Sequence, residues 1–149
     1  MATLPAGRAS AWWMADLEQA HAHQLALIAD LDGLTAQPVP DVPRLANVRW
    51  KMSQASRERR HILNSIVYPD LAKRLVPAEA EMVKRLREKE TVAMAASAQH
   101  IAKWTMDRIV ADWAGYARDS SAMRASLRKR MAAEMEVLSL ISGAPSPSR

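Results

Sequence analysis

The chain has 149 residues, no cysteine, and 21 Lys and Arg side chains against 16 Asp and Glu. This length suits one domain with a substantial core, and the lack of cysteine excludes disulfides, thiolate metal ligands and thiol nucleophiles. The net charge of +5 is spread along the chain, and we interpret it as a solvated surface. We expect a soluble cytoplasmic protein, because no secretory signal and no apolar run long enough to cross a membrane is present.

Long segments with an apolar period of about 3.6 residues, separated by few glycines and prolines, predict an all-α fold. Ser10 is expected to cap a first helix that ends near Gly33. The three-proline link QPVPDVP leads to a second helix from about Arg44 to Tyr68, which Pro69 stops or kinks.

The second half of the chain predicts two more helices. The third runs from Pro77 to about Gly115, with one break along its length. The fourth begins at a cap supplied by Ser120 or Ser121 and ends at Gly143. The predicted organisation is an N-terminal segment (1–10), a helical domain (11–142) and a disordered tail (143–149).

Helical wheels at about 100° per residue place one apolar stripe on each helix. The predicted stripes are Trp13, Leu17, Ala20, Gln24, Leu27, Ile28 and Leu31; then Leu45, Val48, Met52, Ala55, Ile62, Leu63 and Ile66; then Val83, Leu86, Met94, Ser97, Ile101 and Trp104, with Arg108 on the same face; and Met123, Leu127, Leu138 and Ile141. Charged or polar residues lie at mid-height of these stripes: His21, Arg59, Glu90, Arg130 and Glu134. Four such stripes predict an antiparallel up-down four-helix bundle with a polar centre.

Two segments carry a resemblance to a known family. The helix ending SIVYPDL and the closing segment RMAAEMEVLSLI resemble the hemerythrin/HHE cation-binding family, whose four-helix bundle holds a di-iron centre with histidines and carboxylates. The resemblance covers roughly Ala11 to Ile141. It implies Arg59 and Arg130 at two histidine positions of the family, and Leu63 at a carboxylate position.

The remaining ligand positions agree better with the family. His21 matches the first-helix histidine and Glu134 the fourth-helix carboxylate, while the third-helix histidine position falls near Glu90. A guanidinium stays cationic, offers no lone pair and repels a metal ion. The two arginines therefore predict a chain that has lost the di-iron site, has no cofactor, and has a non-catalytic binding, regulatory or structural role.

The five interior polar residues are interpreted as an ion-pair network at the former ligand positions, in which Glu134 serves both buried arginines. In one alternative, the two arginines extend to the ends of the bundle and keep their charges in water. In a second, the chain retains iron or binds oxygen through His21, Glu90 and Glu134, with His100 as a further ligand. No nucleophile and base pair, glycine-rich phosphate loop or catalytic carboxylate pair indicates an enzyme.

One outward face of the second helix combines aromatic and basic residues. Trp50, Arg57, His61 and Tyr68 share this face on the wheel. Such a face suits stacking on nucleic-acid bases, but no nucleic-acid recognition motif accompanies it. We therefore favour a homodimer contact over nucleic acid as its function.

Overall fold

The computed structural model describes residues 11–143, which contain six α-helices, one π-helical segment and no strand. The elements are α1 (Met14–Thr35), α2 (Val42–Ile62), the π-helical segment (Leu63–Val67), α3 (Tyr68–Ala72), α4 (Pro77–Lys103), α5 (Met106–Ala111) and α6 (Trp113–Ser142). The predicted all-α class is confirmed. Ser10, the N-terminal segment (1–10) and the tail beyond Gly143 lie outside the described residues. Across residues 11–143, no helix combines the length and the apolar character that a membrane span requires.

The first two helices lie close to their predicted positions. Gly33 does not end α1, because its φ is not positive and the helix continues to Thr35. The Thr35 hydroxyl donates a hydrogen bond to the Leu31 carbonyl oxygen at 2.7 Å. Asp41 caps α2, since its carboxylate accepts a hydrogen bond from the Arg44 backbone N–H at 3.3 Å.

A π-helical segment joins α2 to α3 and changes which residues face the core. Pro69 does not stop the helical run, which continues to Ala72, because it lies in the first turn of α3, where a backbone N–H is not needed. A π turn holds one residue more than an α turn, so residues beyond Leu63 are rotated relative to an ideal α-helical wheel. Tyr68 is consequently buried at 6% exposure, and its predicted outward orientation is wrong.

The predicted third helix is divided at two points. The backbone leaves the helical region at Trp104, and the Thr105 hydroxyl caps α5. It leaves again at Asp112, whose carboxylate accepts the Gly115 N–H at 3.0 Å and caps α6. The last helix therefore begins well before Ser120, and its predicted end is confirmed because Gly143 adopts a left-handed conformation with φ 72°.

Two apolar clusters form the core. The first joins the start of α1, the π-helical segment and the end of α6, and includes the fully buried Trp13, Leu17 and Leu138. The second contains Leu45 and Tyr116. Buried polar side chains accompany these clusters on α1, near the end of α2 and on α6: His21, Gln24, Arg59 and Glu134.

The helix α4 packs loosely, contrary to prediction. Val83 is its one buried residue among those the structure describes, and α4 packs chiefly against α6. Met94 and Ile101, which were expected to be interior, are 45% and 50% exposed. Arg108, expected on the same interior face, is exposed on α5. A groove consequently opens between α2, α4 and α6.

Candidate functional site

Arg59 lies at the centre of a buried hydrogen-bond network. The side chain is 2% exposed, and each guanidinium nitrogen has an acceptor. Nε donates to Gln24 Oε1 at 3.1 Å, Nη1 to Glu134 Oε1 at 2.8 Å, and Nη2 to Glu90 Oε1 at 2.9 Å. Burial alone would lower the pKa of Arg59, but the charges of Glu134 and Glu90 outweigh it and raise the pKa. Arg59 is therefore a fully paired interior cation.

The two carboxylates extend the network in opposite directions. Glu134, at 5% exposure, uses its second oxygen to contact His21 Nε2 at 2.6 Å. Since an ionised carboxylate has no proton, His21 donates this hydrogen bond. Glu90 uses its second oxygen to accept from Arg130 Nη1 at 3.0 Å. The structure thus brings together all five predicted interior residues, but Glu90, not Glu134, is shared by the two arginines.

Gln24 is a network member that the sequence did not identify. The sequence places it in the apolar stripe of the first helix. Its amide oxygen accepts a hydrogen bond from Arg59, and its amide nitrogen donates to Ser56 Oγ at 2.7 Å, so Gln24 joins α1 to α2. The available signal was its position three residues after His21, on the same face of α1.

The alternative in which the two arginines extend their charges into water is wrong for Arg59, whose side chain is 2% exposed. The side chain of Arg130 is partly exposed, at 26%.

The residues proposed as an alternative iron site do not form a ligand set. Arg59 lies between Glu90 and Glu134 and donates a hydrogen bond to one oxygen of each. His21 donates a hydrogen bond to the other oxygen of Glu134. Among residues 11–143, no group of three or more histidines and carboxylates is arranged to hold a metal ion. This donor arrangement therefore does not fit a di-iron centre, which requires several free carboxylate and imidazole ligands at one point.

His100 packs against Tyr116 of the second apolar cluster. Its ring stacks on Tyr116 with the centroids 5.9 Å apart. Tyr116 also makes an edge contact with Trp104 at 5.6 Å, and the Arg49 guanidinium lies 5.7 Å from its ring. Burial, followed by the charge of Arg49, lowers the pKa of His100. His100 therefore has a structural environment and does not join the network around Arg59.

The lowered pKa of His100 predicts a pH-dependent stability. Below the ordinary histidine pKa of 6.5, the unfolded chain binds a proton at this position that the folded chain resists. We expect the free energy of unfolding to fall as the pH drops from 7 through 6.5 toward the lowered pKa. His100→Gln should reduce this loss, which urea unfolding at pH 7 and pH 5 measures. An equal loss in wild type and variant would contradict the prediction, and His23→Gln, at an exposed position, is the control.

A second polar cluster, also missed from the sequence, joins α1 to α6. Arg124 is buried at 7% exposure and donates from Nε to Asp32 at 2.7 Å and from Nη2 to Thr35 Oγ1 at 3.0 Å. Arg124 also bonds Ser120, and Arg128 pairs with Asp32. Hydrogen bonding to Arg128, and then to Arg124, lowers the pKa of Asp32. This cluster fixes α6 against α1.

The groove between α2, α4 and α6 has a cavity volume of about 520 Å³. Volumes of roughly 300–1,000 Å³ are typical of small-molecule sites. One end contains Arg59, Arg60 and Arg130, and methionines such as Met52 and Met94 line the middle. Arg49 and Arg124 line the other end. The sequence did not predict this groove, because the apolar stripe of the third helix was expected to be buried in the bundle.

Two arginines at this end of the groove are incompletely paired among the described residues. Arg60 has no hydrogen-bond or ion-pair partner in the part of the chain that the structure describes. Arg130 Nε is buried and meets no acceptor there either. Burial lowers the pKa of both guanidinium groups, the charge of Glu90 opposes this shift, and the charge of Arg59 adds to it. This end of the groove therefore carries excess positive charge, and Arg130 Nε is a buried N–H donor without an acceptor in residues 11–143.

The predicted interaction face is retained in part. Trp50 is 60% exposed, and Arg57 and His61 are exposed on the same helix. Trp50 and Arg57 also line the groove between α2, α4 and α6. Tyr68 leaves this face because of the π-helical segment, and its ring lies 5.2 Å from the Arg87 guanidinium.

Comparison of the chain with protein-family models, curated proteins and solved structures found no match. Function is therefore inferred from the geometry of this chain.

Proposed function

We propose that the chain is a hemerythrin-like antiparallel four-helix bundle that has lost the di-iron site and serves as a non-catalytic binding protein. The observation that carries this proposal is the position of Arg59, whose guanidinium hydrogen-bonds both carboxylates that a metal would need, Glu90 and Glu134. A cation held there by two carboxylates supplies the charge balance that a metal ion would otherwise provide. The two segments that resemble the family, and Arg130 at a second histidine position, support the same proposal.

The metal content of the purified protein tests the proposal. The full chain is purified without chelators, incubated with Fe²⁺ or Zn²⁺, desalted and measured by elemental analysis. We expect far less than one equivalent of iron, zinc or manganese, because Arg59 repels a cation from the centre. One or two equivalents, lost in His21→Ala, would contradict the proposal and favour an iron or oxygen-binding protein.

A binding role is supported by the groove, which leaves methionine side chains accessible beside paired charges. Methionine surfaces adapt to ligands of different shape because the side chain is flexible and polarisable. The paired carboxylates Glu90 and Glu134 each hold an arginine, so neither is available as a general base. Ligand binding without chemistry is the proposed activity.

We also propose a cytoplasmic homodimer whose contact includes Trp50. The absence of cysteine suits a reducing compartment, and an indole exposed at 60% on α2 is typical of a protein contact. Trp50→Ser is expected to shift the sedimentation equilibrium toward monomer, with Trp12→Ser, which replaces an equally exposed tryptophan (61%), as the control. A monomeric wild-type protein at high concentration would contradict this contact, and salt-sensitive DNA binding would favour nucleic acid instead.

A further inference from the structure

We propose that the groove between α2, α4 and α6 binds a small amphipathic anion, with a carboxylate or phosphate headgroup at Arg60 and Arg130 and an apolar chain along the methionines. This inference rests on the proposed binding function and names the ligand class of the same site. It is carried by charge, by unmet hydrogen bonds and by the shape of the cavity.

The charge at one end of the groove is not balanced. Three guanidinium groups, those of Arg59, Arg60 and Arg130, face two carboxylates, Glu90 and Glu134. One positive charge remains in excess even when His21, which contacts Glu134, is counted as neutral. Both carboxylates pair with Arg59, and Glu90 also pairs with Arg130, so the excess charge belongs to Arg60. An anionic ligand group would neutralise it.

One buried hydrogen-bond donor without an acceptor among the described residues belongs to Arg130, which lines the same end of the groove. Arg130 donates from Nη1 to Glu90, but its buried Nε meets no acceptor within residues 11–143. A buried N–H without an acceptor is costly, and native structures contain few of them. Arg60, which lines the cavity and is partly exposed, forms no hydrogen bond or ion pair with the described residues, so its donors are open to a ligand. Carboxylate and phosphate oxygens match the fork of N–H donors that a guanidinium presents.

Part of the remaining lining is apolar and suits an alkyl chain, beside serines and Arg49. Met52, Met94 and Met123 line it beyond the arginines, together with Leu127. Met52 lies eight residues before Arg60, which corresponds to about 12 Å along α2. A straight alkyl chain of medium length fits this distance, and the cavity of about 520 Å³ suits one small molecule more than a peptide helix or a nucleic-acid strand.

Isothermal titration of the full chain with decanoate, decyl phosphate and decanol tests the proposal. We expect both anions to bind and decanol to bind at least about tenfold more weakly, since hydrogen bonds to charged groups contribute more than neutral ones. The tighter of the two anions identifies the headgroup. Absence of binding by both anions, or equal binding of decanol, would overturn the proposal.

Variants localise the binding. Arg60→Gln should weaken decanoate binding about tenfold, and folding should be retained because Arg60 has no partner to lose in the described part of the chain. Arg118→Gln, at an exposed position outside the groove, is the matched control for charge. Met94→Asp should weaken binding by a similar factor, whereas Val92→Asp, at a 71% exposed position on the same helix, should not. Equal affinity of Arg60→Gln and Arg118→Gln would overturn the assigned headgroup position.

Different experimental results would overturn this inference and the proposed function. A metal-free protein that binds neither anion overturns the amphiphile site and leaves the proposed loss of the di-iron site standing. A protein with a full equivalent of metal overturns the proposed function, whatever the titrations give. Binding of duplex DNA that Arg60→Gln weakens, without decanoate binding, would assign this end of the groove to nucleic acid and overturn the amphiphile proposal.

Discussion

Glu134→Gln is expected to lower the free energy of unfolding by about 3–5 kcal/mol, the usual cost of removing one partner from a buried ion pair. Glu134 is 5% exposed and accepts hydrogen bonds from both Arg59 and His21. The glutamine keeps the shape of the side chain but removes its charge, so Arg59 remains buried with Glu90 as its remaining carboxylate partner. Urea unfolding at two salt concentrations measures the loss, which salt should change little because the pair is shielded from solvent.

Glu136→Gln is the matched control, because Glu136 lies on the same helix at an exposed position. Its effect should stay within about 0.5 kcal/mol, as for most surface substitutions. If Glu134→Gln loses less than about 1 kcal/mol, the scale of solvent-exposed pairs, the charge of Glu134 is solvated and the buried network is contradicted.

Arg59→Met is expected to be similarly destabilising, by about 3–5 kcal/mol, because it leaves Glu134 buried without its cation. The double variant Arg59→Met with Glu134→Gln should be less destabilised than the sum of the two single variants. It removes one cation and one anion together, and Glu90 keeps its pair with Arg130 at 3.0 Å. A double-mutant cycle by urea unfolding measures this coupling.

The coupling between these two substitutions should reach about 1–3 kcal/mol, the upper range for residues in direct contact. Additive effects would contradict a shared buried pair. Arg59→Met combined with Glu136→Gln provides the control cycle, because the two residues have no contact in the structure and their effects should add.

The interior residues were predictable from sequence where the helix is regular. His21, Arg59 and Glu134 lie within α-helices whose apolar neighbours fix the wheel, so a period of about 3.6 residues was sufficient to orient them. Their ion pairs could not be predicted in the same way. The packing of the helices, not the spacing in the sequence, decides which arginine pairs with Glu90 and which with Glu134. The sharing of Glu90 by Arg59 and Arg130 is an example.

The predictions that failed have local physical causes. The π-helical segment Leu63–Val67 rotates Tyr68 into the core, and no wheel of constant period contains that rotation. Met94 and Ile101 have the spacing of a core stripe, but α4 lies away from α2 and leaves them exposed. The arrangement of Arg124 with Asp32 joins residues far apart in sequence, so no local pattern signals it.

The position of Arg59 distinguishes a buried ion-pair centre from a metal centre most directly. A crystal structure of the protein, grown after incubation with Fe²⁺ and with data collected on both sides of the iron absorption edge, records both the side chain and any metal. We predict guanidinium density between Glu90 and Glu134 and no anomalous peak at the centre. An iron peak within bonding distance of His21 and Glu134, with Arg59 displaced from both carboxylates, would contradict the central claim.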